Sequence, residues 1–229
     1  MNNFSTRVQN LDVTNVDRLL ELFGIPAESF KDALLAGKQK HDEATEFHPV
    51  TTAGARAWQE IVGVFRQLAV EHGQGWEKDQ LKGNPVLINS ERGMTIVIMG
   101  GDNNTGLERE DGIQPSTKNS KGHQSQRLLH GTNLSLFQSI DEEPSSPVPV
   151  DSHQTWVFLF YLDKEKQEIR AELSLPSIDV TEFFREGKVK VSDWQERRIL
   201  PAIPFDGGFD DISTPEFTDD SEFFNAEKI

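Results

Sequence analysis

Three carboxylates stand where a divalent cation could be held. Glu60 falls within a long amphipathic stretch, Asp102 directly follows a β-rich run, and Glu172 lies on the polar side of the alternating run "EIRAELSLP". Two such carboxylates around Mg²⁺, with a lysine near the attacking water, would make a metal-dependent nuclease, the ion generating the nucleophile and neutralising the charge that develops. Two residues after Glu172, however, stands Ser174 and not a lysine. The site is degenerate on this reading, and an ordinary polar pair between Glu172 and Arg170 on a strand surface is the simpler account. His41 and His48 sit among Asp42, Glu43 and Glu46, but "HDEATEFH" matches no metal-site spacing and reads as a solvated polar loop. "MGGDNNTG" lacks the lysine and spacing of a phosphate-binding loop and is not GxGxxG. With no cysteine in the chain there is no thiol nucleophile and no cysteine zinc ligand. No cofactor and no metal is expected; enzymatic activity stays open, with the balance toward a binding protein.

The elements that must carry these residues are legible from periodicity. "TNVDRLLELFG" (14–24) reads as a capped helix, and "PAESFKDALLAG" as a second, opened by Pro26 and stopped by Gly37. From Thr51 or Thr52 to Gly73, the residues Trp58, Ile61, Val62, Phe65, Leu68 and Ala69 form one apolar stripe, so this is a core helix. "NPVLIN" and "GMTIVIMGG" are short strands, and residues 155–162 and 168–175 form an antiparallel hairpin around a charged turn. The first hairpin strand is apolar on both faces and should be central. The second alternates and should be half exposed. "VTEFFREG" reads as a helical turn and "KVKVSDWQERRILPAIP" as one or two extended pieces.

The fold class is therefore α+β: a small antiparallel or mixed sheet packed on N-terminal helices, with a long irregular central excursion and an acidic C-terminal tail. Residues 1–101 supply the helices and first strands of a single domain, 102–152 form a flexible linker or displayed loop, 153–204 complete the core, and 205–229 are the tail. A connection as long as 102–152 inside one domain is uncommon and marks either a functional loop or disorder.

Within that excursion, among Ser, Thr, Gly, Gln and Pro, stands "NLSLF": Asn133, Leu134, Ser135, Leu136 and Phe137. It resembles the bacterial sliding-clamp-binding pentapeptide, commonly Gln-Leu-Ser/Asp-Leu-Phe, matching it at four positions, with Asn133 giving the same amide on a shorter arm. The resemblance implies a protein partner, with the sliding clamp as the first candidate, the amide orienting the peptide while Leu136 and Phe137 fill preformed pockets. The competing reading is that "LLHGTNLSLF" folds back and anchors the loop on the core.

Charge limits the other classes. The net charge is −15, so the molecule as a whole is repelled by phosphate backbones. Between Asp111 and Asp141 there is no acid, while Lys118, Lys121, Arg127, His123 and His130 lie there; direct nucleic-acid contact, if any, runs through this basic linker. From Phe205 onward eight acids accompany one lysine, with Phe205, Phe209, Phe217, Phe223 and Phe224 interleaved. Such a tail suits a basic protein groove, or an acidic inhibitor that imitates nucleic acid. The chain start has no signal-like run and no apolar run is long enough to span a bilayer, so a cytoplasmic protein without membrane contact is expected. The leading functional expectation is an accessory or adaptor protein of DNA metabolism.

Overall fold

The structure is a computed structural model that describes residues 7–10, 22–81, 83–122, 125, 128–129, 153–177, 188 and 190–205. Its elements in chain order are β1 (Arg7–Asn10), α1 (Ala27–Asp42), α2 (Thr52–Glu71), β2 (Glu77–Leu81), β3 (Asn84–Asn89), β4 (Met94–Gly100), β5 (Gln154–Asp163), β6 (Glu168–Pro176), β7 (Trp194–Ile199) and β8 (Ile203–Pro204). The fold is α+β, with one mixed sheet in the order β1-β7-β6-β5-β4-β3-β2 and β8 added beside β6. The sheet is larger than expected because the edge strands β1 and β2 carry little apolar signal: "RVQN" and "EKDQL" are polar runs that pair with a neighbour on one side only.

The two helices cover one face. Phe30 of α1 and Phe65 of α2 meet Phe158 of β5 with ring centroids 4.7 to 5.2 Å apart. Around them Ile61, Ile96, Ala171 and Leu173 complete a first core. Trp58 belongs to the predicted stripe and is partly buried against this core, its indole N–H donating to the Ile98 carbonyl at 3.0 Å. The helices approach unusually closely at Gly37: a Cβ there would lie 2.3 Å from Ile61 Cγ1. Gly37 is thus a contact point within α1 and does not stop it. The helix runs on to Asp42, in correction of the reading that ends it at Gly37.

β5 is central, as its two apolar faces require. It pairs antiparallel with β6 and parallel with β4 in register, Ile96 with Trp156 and Ile98 with Phe158. Parallel neighbours cannot be joined by a tight turn, so the chain between Gly100 and Gln154 is an obligatory crossover. Its first part, within the stretch read from sequence as a flexible linker or displayed loop, is tied to the sheet: Thr117 pairs with Gly101, and the Thr117 N–H donates to the Val191 carbonyl at 2.9 Å. Together with Leu128, Leu129, Val191 and Trp194 it closes a second core over Val86, Val97, Val157 and Leu159 on the opposite face of the sheet. β6 is therefore buried on both sides, not half exposed. The predicted helix at 14–24 lies almost entirely, and the helical turn "VTEFFREG" wholly, outside the described residues.

Candidate functional site

Alternation along β6 sends Ala171 and Leu173 into the helix-covered core and Arg170, Glu172 and Ser174 to the other face. There Glu172 is fully buried. Arg197 of β7 donates to it twice, Nε to Oε1 at 3.0 Å and Nη2 to Oε2 at 2.6 Å, and the Ser174 hydroxyl donates to Oε1 at 2.5 Å. The backbone N–H of Gly106 completes the set, 2.8 Å from Oε2. Arg197 Nη2 also reaches the Leu107 carbonyl at 3.0 Å. A buried charge pair persists only when its remaining hydrogen-bonding capacity is used as well, and here both oxygens are engaged. Gly106 is required at this contact: its φ is +71°, and a Cβ would lie 2.8 Å from Arg170 Cβ.

Arg170 is not the partner of Glu172. Its Nη2 donates to Asp163 Oδ2 at 2.7 Å, and its guanidinium stands 5.1 Å from the Tyr161 ring centre, its register partner on β5. Asp163 in turn accepts the N–H groups of Glu165 and Lys166 and so shapes the hairpin turn; the Lys166 N–H and Arg170 hold its carboxyl below the usual range.

Asp102 has a different task. Its Oδ1 accepts the Asn104 N–H at 3.0 Å and its Oδ2 accepts the Ser116 N–H and hydroxyl at 3.0 and 2.7 Å, joining the two ends of the 102–116 loop. The N–H groups of Gly101, Asp102, Thr105, Gly106 and Leu107 are likewise spent inside the fold, so "MGGDNNTG" is a structural loop and offers no ring of free donors to a phosphate. Glu60 stands on α2, on the far side of the sheet from Glu172. Lys40 of α1 is raised above its ordinary pKa, first by its hydrogen bond to Glu43, with the charge of Glu60 adding to the effect. The structure thus does not bring Glu60, Asp102 and Glu172 together, and no group of three or more His, Asp or Glu able to hold a metal occurs among the described residues.

Residues 130–152, which include 133–137, lie in sequence between two attachments. Leu128 and Leu129, just before this stretch, are buried in the second core. After it, His153 is buried and the Gln154 N–H donates to the Gly93 carbonyl at 2.8 Å. Asn133, Leu134, Ser135, Leu136 and Phe137 themselves lie outside the described residues. Of the basic linker, Lys118 is exposed while Lys121 is half-buried, its pKa lowered by that burial; His123, Arg127 and His130 are outside the described part. Phe205, counted in the tail, belongs to the domain: its N–H donates to the Gln167 carbonyl at 2.8 Å and Lys38 Nζ lies 4.2 Å from its ring centre. The other four tail phenylalanines are not described.

Nothing in "WQERRI" marks Arg197 as the partner of Glu172 rather than its neighbour Arg198, which pairs with Glu196 at 2.8 Å. Only the β6–β7 register, which sets Arg197 opposite Ser174, distinguishes them. Among the described residues no helix is long and apolar enough to cross a membrane. Comparison of the chain with protein-family models, with curated proteins and with solved structures returns no match.

Proposed function

We propose that this protein is an accessory factor that docks on a protein partner through residues 133–137, the partner being a bacterial sliding clamp. The observation that carries this reading is the framing of the segment. Leu128 and Leu129 enter the second core on one side and His153 is buried on the other, so both ends of the intervening chain are held by the sheet. In the sequence Leu134, Leu136 and Phe137 fall between those points, and a docking peptide needs just such fixed ends and apolar anchors of its own. The amide of Asn133 stands at the position that orients the peptide. An affinity from so few contacts stays modest, because ordering the segment offsets part of the gain.

The experiment is calorimetric titration of the full-length protein into a purified bacterial sliding clamp. Micromolar binding is expected, about 8 kcal/mol. Leu136→Ala with Phe137→Ala abolishes it and Asn133→Gln tightens it. Absence of binding, or binding indifferent to those changes, refutes the reading.

A further inference from the structure

The two most exposed large apolar side chains of the described part lie three residues apart in the loop joining α1 to α2. Phe47 is 90% and Val50 100% exposed; the next, Ile113 and Val70, stand at 49% and 38%. By contrast Phe23, Phe30, Phe65 and Phe158 are all buried in the first core. Leaving a Phe and a Val in water forgoes the stabilisation that burying each would bring.

The loop that bears them is not slack. The Thr45 N–H donates to His48 Nδ1 at 3.0 Å, the His48 N–H returns to the Thr45 carbonyl at 3.0 Å, and the Thr52 N–H reaches the Pro49 carbonyl at 2.8 Å. Arg56 of α2 lies against the inner side, Nη2 at 3.2 Å from His48 Nε2 and Nη1 at 3.4 Å from the Glu43 carbonyl. Phe47 and Val50 are presented by a frame already in place, so binding through them would cost little ordering.

Charge selects the occupant. Asp42 is paired with Lys38 and Glu43 with Lys40, but Glu46, exposed and adjacent to Phe47, has no ion-pair partner among the described residues. The tip therefore offers one uncompensated carboxylate beside two apolar side chains, on a chain of net charge −15. A second copy and an anionic lipid surface are both repelled by that charge, whereas a basic surface is attracted. We propose that residues 46–50 are a docking epitope for a protein partner that offers an apolar cleft edged by lysine or arginine. This proposal does not depend on residues 133–137.

The test places the photo-crosslinking residue p-benzoylphenylalanine at position 47 of the full-length protein, in cells of its natural host, with positions 63 and 70 on α2 as controls. The expected result is a protein adduct specific to position 47, mapping by mass spectrometry to apolar residues beside lysine or arginine. Its yield falls at least about tenfold when Glu46→Lys or Val50→Ser is added, while the melting temperature stays unchanged. An adduct with a second copy or with lipid, equal adducts from the control positions, indifference to Glu46→Lys, or no adduct at all overturns the proposal.

Discussion

Arg197 grips Glu172 through two parallel hydrogen bonds inside the sheet's second layer, and the same carboxylate holds the Gly106 N–H of the crossover. One buried ion pair thereby joins β6, β7 and the 101–107 turn. Glu172→Ala strands the Arg197 guanidinium without a counter-charge and should destabilise the protein by about 3–5 kcal/mol in denaturant unfolding. Glu172→Leu combined with Arg197→Met removes both charges and should cost distinctly less. In hydrogen exchange, the Gly106 amide should lose protection in both variants. If Glu172→Ala costs under about 1 kcal/mol, the pair is not what fastens the turn.

These residues also show where sequence patterning stops. The α2 stripe and the apolar runs of β4 and β5 were legible because a period of 3.6 or an unbroken β-branched and aromatic run reports burial directly. Glu172 was legible as a polar residue on an alternating strand, and alternation implied solvent on that side. It could not show that the crossover returns over that face, because the covering turn, "GGDNNTG", is itself polar. Gly37 misled for a related reason: a glycine signals a helix stop and a close helix contact equally well, and only the proximity of Ile61 decides. The carboxylates considered for a metal were separable only by topology, since nothing local reveals that Glu60 and Glu172 face opposite sides of one sheet. Arg197 required the strand register itself.

The Gly37 contact gives a test with an internal control. Gly37→Ala sets a methyl 2.3 Å from the Ile61 Cγ1 position, too close for either group to stay in place. Overpacking of this kind should cost about 1–3 kcal/mol, against the slight gain that Ala normally brings inside a helix. Ile61→Ala, which removes Cγ1, should cost less in the Gly37→Ala background than in the wild type, giving a coupling energy on the order of 1 kcal/mol in a double-mutant cycle, whereas Ile61→Val keeps Cγ1 and should relieve less. Purely additive effects would show that the helices part at that point without strain.

Asp163 predicts a pH dependence. The Lys166 N–H and Arg170 keep its folded carboxyl below the usual range, so the ionised form is favoured by the native state. A depressed folded pKa contributes stability that is present above the unfolded value, about 3.9, and is lost as pH falls through the folded one. Asp163→Asn should therefore be less stable than the wild type by about 1.5–3 kcal/mol at pH 7. The gap should narrow progressively once the pH drops below the ordinary carboxylate range. A gap that stays constant from neutral pH down to the acid limit would mean that the charge of Asp163 contributes nothing to folding.

The last contrast separates the two parts of "LLHGTNLSLF". Leu128 and Leu129 fill the second core beside Val157, Leu159 and Trp194, and truncating either leaves a cavity that the rigid sheet below cannot close. Leu128→Ala and Leu129→Ala should each destabilise by about 2–5 kcal/mol. Leu136→Ala with Phe137→Ala should change the unfolding free energy by less than about 0.5 kcal/mol if those side chains serve a partner rather than the core. The pairing of results is the informative quantity: large loss at the first pair with little at the second assigns fastening to Leu128 and Leu129 and leaves Leu136 and Phe137 for docking. Losses of several kcal/mol at both pairs would make the whole run a core anchor. The clamp proposal would then fail on stability alone, before any binding measurement, because side chains that hold the core together are not available to a partner.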